Sequence, residues 1–208
     1  MQLETWQKIL KTSVIRAGDG RAFAVDLCGK HNPVVIAGAH CLPHLPESHG
    51  WDDDSRLYRD FLGPIGAKPT VWAECLFVNP VADIAVLGPP DEQRLPEEAQ
   101  AYEALLQSLT PFSITDASEQ SQVWLLSLEC EWFNCRANYI PWGNGPLWLS
   151  TDPENIKGGM SGSPIVSDSG AAVGVVCIGS NQGESGPNPG LVRDLPRLAI
   201  LYPAKACR

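Results

Sequence analysis

The chain has 208 residues, 44% hydrophobic and 19% charged, which suffices for one substantial core or for two small packed barrels counted as one domain. A formal charge of −9 argues against a nucleic-acid partner, because no broad basic surface is available to release phosphate counterions. The longest weakly polar stretch, Ala171 to Gly179, falls well short of the roughly 18 residues a membrane helix needs, so no membrane partner is expected.

In the opening segment, MQLETWQKILKTSVIRAGDG, the residues Glu4, Lys8 and Lys11 interrupt the apolar positions and leave no signal-peptide core. A cytoplasmic location is the expectation. Residues 20–42 read as two apolar strand-like runs joined by a turn-rich centre with Gly29 and Asn32-Pro33, a hairpin signal. The stretch 43–67, rich in Pro, Gly and Asp and containing Asp52-Asp53-Asp54, reads as a surface excursion. From Thr70, TVWAECLFVNPVADIAVL returns to strand character, interrupted at Asn79-Pro80.

Pro96 followed by Glu97 and Glu98 marks a helix start, and Ala99, Tyr102, Leu105, Leu106 and Leu109 recur at helical spacing. This is a connector helix between two β halves, and its apolar stripe is for packing. The second half supplies QVWLLSL, EWFNCRANYI, PLWLS, SGSPIVS and AAVGVVCIGS, separated by turns such as Gly143-Asn144-Gly145 and Asp168-Ser169-Gly170. The tail from Gly186 leaves a final strand and a short helix both open. Seven cysteines, at 28, 41, 75, 130, 135, 177 and 207, are an odd number without a CxxC pair. They read as thiols of a reducing compartment that serve as small buried hydrophobes.

Nucleophilic acyl transfer needs a hydroxyl, a base, a group that orients the base, and donors for an oxyanion. GGMSGSPIV places Ser161 between Gly159 and Gly162, where a tight turn can expose the hydroxyl and aim the N–H groups of Gly159 and Ser161 into one pocket. IAGAHC puts His40 at the end of an apolar run. DIAVL sets Asp83 just before a buried strand, where an unpaired carboxylate costs several kcal/mol unless a partner such as an imidazole bonds it. Each string alone has a bland alternative as loop, structural histidine or turn aspartate. Their joint occurrence in the order His, Asp, Ser is far more specific.

On AHC, DIAVL and GMSGSP the chain resembles the trypsin-like, chymotrypsin-fold serine peptidase family over roughly residues 20–180. The resemblance implies an all-β fold of two packed six-stranded antiparallel barrels with a short connector helix: 1–95, 96–115 and 116–208. It implies a triad of His40, Asp83 and Ser161, an oxyanion hole from Gly159 and Ser161, and neither metal nor organic cofactor. It further implies that Cys177, Ile178 and Gly179 pair with an extended peptide or protein substrate, and that Asn155, Ile156 and Lys157 line the primary pocket.

Met160 stands where zymogen-activated members carry an aspartate, so the pattern is nearer to bacterial HtrA-type members. Ser163 replaces a more frequent glycine. Cys41 keeps a cysteine that secreted members bond, but the expected partner position near Gly20 is not cysteine; Cys28 could substitute, or both thiols are free. Without an aspartate at the pocket base, a neutral apolar preference is expected, although Lys157 leaves an acidic preference open. A cytoplasmic enzyme of this kind without a zymogen device implies a restricted substrate or a regulatory partner protein. The rival readings are an inactive protease-like binding module and a metal site of His40, Cys41, His44 and His49, whose spacing matches no usual zinc pattern.

Overall fold

A computed structural model describes residues 3–26, 33–47, 53–80, 82–115, 122–139, 147–150, 156–177 and 190–194. The first barrel contains β1 (Val14–Ala17), β2 (Gly20–Val25), β3 (Val34–Ala37), β4 (Leu57–Gly63), β5 (Val71–Asn79) and β6 (Ile84–Gly88), closed in the order β1-β2-β3-β6-β5-β4. The second contains β7 (Gln122–Leu126), β8 (Trp132–Tyr139), β9 (Leu147–Ser150), β10 (Pro164–Ser167), β11 (Ala172–Val176) and β12 (Gly190–Asp194), closed as β10-β11-β12-β9-β8-β7. Neighbouring strands are antiparallel throughout. Helix α1 (Leu3–Lys11) precedes the first barrel and α2 (Pro96–Gln107) follows it.

The alternation of side chains along a strand decides what each barrel shares with the other. On β2, Ala22 and Ala24 join a cluster confined to the first barrel and α2, alongside Leu87 and Tyr102. Phe23 and Val25 point the other way, into a cluster that continues through Leu126, Val166 and Val175 of the second barrel. Both faces of β2 are therefore buried, as its nearly unbroken apolar sequence requires. A third cluster, including Leu125, Met160, Ile165 and Val173, belongs to the second barrel.

The connector after α2 is hydrogen-bonded to both halves. Phe112 N–H donates to Ala24 O at 2.8 Å, and Thr115 N–H donates to Ala172 O at 3.0 Å. Helix α1 adds another link from the opposite end of the chain. Trp6 meets Trp132 edge-on with centroids 5.3 Å apart, and its Nε1–H donates to Asp168 O at 3.1 Å.

Two sequence expectations need correction or completion. The 43–67 stretch is not wholly a surface excursion, because it contains β4 with Tyr58, Phe61 and Leu62 buried. Exposed Arg59 and Asp60 stand in succession there, and a register shift between Tyr58 and Leu62 breaks the alternation that normally reveals a strand. The tail, undecided between strand and helix, supplies β12.

Candidate active site

Strand register brings the first two candidate residues together. β3 and β6 pair with Ala37 opposite Ala85, so two residues further on Ala39 lies opposite Asp83, and Ala39 N–H donates to Asp83 O at 3.2 Å. His40 follows in a single 3-10 turn, Ala39–Cys41. Its main-chain N–H donates to Asp83 Oδ1 at 2.9 Å, and its Nδ1 lies 2.7 Å from Oδ2. One carboxylate thus grips both the backbone and the ring of the histidine. Asp83 adopts φ +54°, a left-handed conformation that aspartate tolerates better than most residues, and its side chain is only 13% exposed.

The Asp83 hydrogen bond, helped by the Cys41 thiol and opposed by burial, pushes the His40 imidazole up from 6.5 to about 10. With Nδ1–H committed to Asp83, the proton-accepting position of the neutral ring is Nε2. Its polar neighbour is Cys41 Sγ at 3.8 Å, a free thiol.

Ser161 sits on a turn shaped by main-chain geometry. Gly159 and Gly162 have φ +90° and +81°, and any Cβ on Gly162 would overlap the Arg21 carbonyl. Fully buried Met160 anchors the turn in the second barrel's apolar cluster. Gly162 N–H donates to Val176 O at 2.7 Å, and Ser161 O accepts Arg21 N–H at 2.7 Å. Among the described residues the N–H groups of Gly159 and Ser161 donate to no protein acceptor. Ser163, in place of the commoner glycine, is buried with its Oγ unpartnered.

The His40 side and the Ser161 side meet across a groove of about 480 Å³, lined by His40, Cys41, Leu42 and Phe61 on one side and by Gly159 and Ser161 on the other. Gly20 keeps the junction tight, since a Cβ there would lie 2.6 Å from Cys41 Sγ and 2.8 Å from Ser161 O. No hydrogen bond joins Ser161 Oγ to His40 Nε2.

Of the proposed substrate-binding residues, Ile156, Lys157 and Cys177 are described. Ile156 packs against the second barrel's cluster, and exposed Lys157 faces Glu129, Nζ to Oε1 3.9 Å. Lys157 is therefore partnered at the surface. Cys177 is buried with Sγ 3.7 Å from Asp83 O, so the thiol spans the two barrels behind the aspartate. Asn155, Ile178 and Gly179 lie outside the described residues. Of the rival metal set, His44 donates Nε2–H to Ser55 O at 3.2 Å and His40 is engaged by Asp83, while His49 is outside the described residues. Among the described residues no three His, Cys, Asp or Glu converge as a metal site would require.

Residues that the sequence did not single out are Gly20 and Arg21, both in contact with the Ser161 turn. The only signal is the pair of glycines in Gly18-Asp19-Gly20, which mark close backbone approach without saying to what.

No protein-family model and no curated protein sequence matches this chain. Solved structures do. The serine protease of human pathogenic astrovirus is 15% identical with a TM-score of 0.50, the match covering 87% of this chain and 86% of that one. The Rv3671c protease, in its inactive form, is 16% identical with a TM-score of 0.56, covering 98% of this chain and 93% of that one. The chain therefore has a chymotrypsin-like fold; at these identities the likeness speaks for architecture, and function must be argued from the site.

Proposed function

We propose that this protein is a serine endopeptidase whose triad is His40, Asp83 and Ser161. The observation that carries the reading is the double grip of Asp83 on His40 beside a groove shared with Ser161. Ser161 Oγ attacks the scissile carbonyl while His40 Nε2 accepts its proton and then delivers it to the leaving amine. Asp83 fixes the ring tautomer and stabilises the imidazolium. The unengaged N–H groups of Gly159 and Ser161 receive the oxyanion. In a free enzyme the nucleophile–base hydrogen bond is often open and closes only with substrate, which accommodates the present separation.

Because His40 protonates the leaving amine, the groove beside His40, Cys41 and Leu42 takes the leaving segment. The acyl segment pairs with the backbone of 177–179, and 155–157 border its first side chain. This chemistry needs neither metal nor organic cofactor. We place the enzyme in the cytoplasm, nearer in kind to HtrA-type members, with a protein substrate restricted by a regulatory partner. The test is a peptide-library cleavage profile: the wild-type chain yields a defined product set that Ser161→Ala lacks, and identical profiles would discard the reading.

A further inference from the structure

Arg21 is 4% exposed in the seam between the barrels and forms no ion pair among the described residues. No carboxylate bonds it among the described residues, and Glu129, at longer range, only partly offsets the burial, where a well-packed apolar residue normally serves better. Burial indeed disfavours its charged form. What the guanidinium has instead is two carbonyls. Nη1 donates to Leu126 O at 2.6 Å and Nη2 to Ser127 O at 2.7 Å, a fork that only arginine presents.

Those carbonyls sit where β7 enters the hairpin to β8. The hairpin tip leans on the nucleophile turn: Leu128 Cδ2 lies 3.5 Å from where a Cβ of Gly159 would stand, and Glu129 meets Lys157. Arg21 also reaches the turn directly, because its N–H holds Ser161 O at 2.7 Å and its carbonyl fills the space beside Gly162. Its side chain reaches across because position 21 shares the β2 face of Phe23 and Val25, which points into the inter-barrel cluster.

We propose that Arg21 is a positioning residue, clamping the β7–β8 hairpin with its side chain so that the hairpin holds Gly159 and Ser161 in place for the oxyanion. The kinetic part of this assignment rests on the peptidase reading above. Oxyanion donors act only when held to within about 0.5 Å, so loss of the clamp should lower rate more than binding.

The experiment follows phosphonylation of Ser161 by a fluorophosphonate together with amide hydrogen exchange. Arg21→Met should lower the saturating phosphonylation rate by about 100-fold, the cost of a misplacement of about 1 Å, with the half-saturating concentration unchanged. Arg21→Lys keeps charge and stem but cannot span both carbonyls, so its loss is smaller, and it serves if the Met variant does not fold. Arg94→Met, at the exposed pair with Asp54, should match wild type. Exchange should rise in 126–131 and 157–162 while 34–41 and 83–88 keep wild-type protection. An inert Ser161 in the wild-type chain would remove the peptidase reading and leave the clamp to be judged on exchange alone. Unchanged exchange in both segments, a uniform rise across both barrels, or an undiminished phosphonylation rate despite locally raised exchange each overturns the positioning role.

Discussion

In the first barrel the proposed base is held by side-chain chemistry, one carboxylate accepting two hydrogen bonds from one histidine. In the second, the proposed nucleophile is held by main chain: glycines at positive φ, and carbonyls and amides shared with Arg21 and Val176. The difference sets what each half tolerates. The base side should be sensitive to the charge and donor pattern of a few groups, whereas the nucleophile side should be sensitive to any added atom.

Mutations can break this contrast at either end. Ser161→Ala removes the attacking atom, and peptidase turnover should fall by about a million-fold, as for a comparable nucleophile. Asp83→Asn should cost about ten-thousand-fold through the wrong imidazole tautomer, with an unchanged circular dichroism spectrum, because asparagine also accepts a left-handed backbone. A small effect of Asp83→Asn on turnover would dissolve the distinction between the halves.

Steric changes sharpen it. Gly162→Ala combines φ +81° with overlap of the Arg21 carbonyl, so urea denaturation should show a loss above the ~1–2 kcal/mol of left-handed strain alone. Gly66→Ala, at φ +83° but with open space around its Cβ, should show only that strain, about 1–2 kcal/mol. Equal losses at the two glycines would mean that close contact at Gly162 matters little. Ser163→Ala removes an unpartnered buried hydroxyl and should stabilise the chain by about 1 kcal/mol in the same assay.

The His40–Asp83 pair also makes stability depend on pH. Folding raises the His40 pKa from 6.5 to about 10, so between those values the folded state binds more protons than the unfolded one. The pair's contribution is full below pH 6.5 and fades as pH climbs towards 10. Water screens it, since the His40 side chain is 30% exposed. Thermal melts across that range should show this decline in wild type and not in Asp83→Asn. The same protonation means that phosphonylation of Ser161 should speed up as pH rises.

Much of this contrast was legible in the sequence, unevenly. His40, Asp83 and Ser161 stand in strings that are bland one by one and specific in their joint order, and strands such as AAVGVVCIGS are continuous apolar runs. Helix α1 does carry an amphipathic signal, with Lys8 and Lys11 exposed and Leu10 buried, but over only nine residues, whereas β4 is hidden because Arg59 and Asp60 interrupt its alternation. Arg21 was illegible for a different reason. Its role depends on carbonyls more than a hundred residues away, which present no side-chain signal. The glycines flanking Ser161 pointed to a tight turn, whereas the identity of what crowds Gly162 required the packed barrels.

If His40 and Asp83 activate the Ser161 hydroxyl, that hydroxyl alone should react. The most direct measurement treats native chain, urea-unfolded chain and His40→Ala with a fluorophosphonate at mildly alkaline pH, then maps adducts by peptide mass. A single adduct on Ser161 is expected in the native wild-type chain, and none in the other two samples. An unmodified Ser161, or an equal adduct there when His40 is absent, would contradict it.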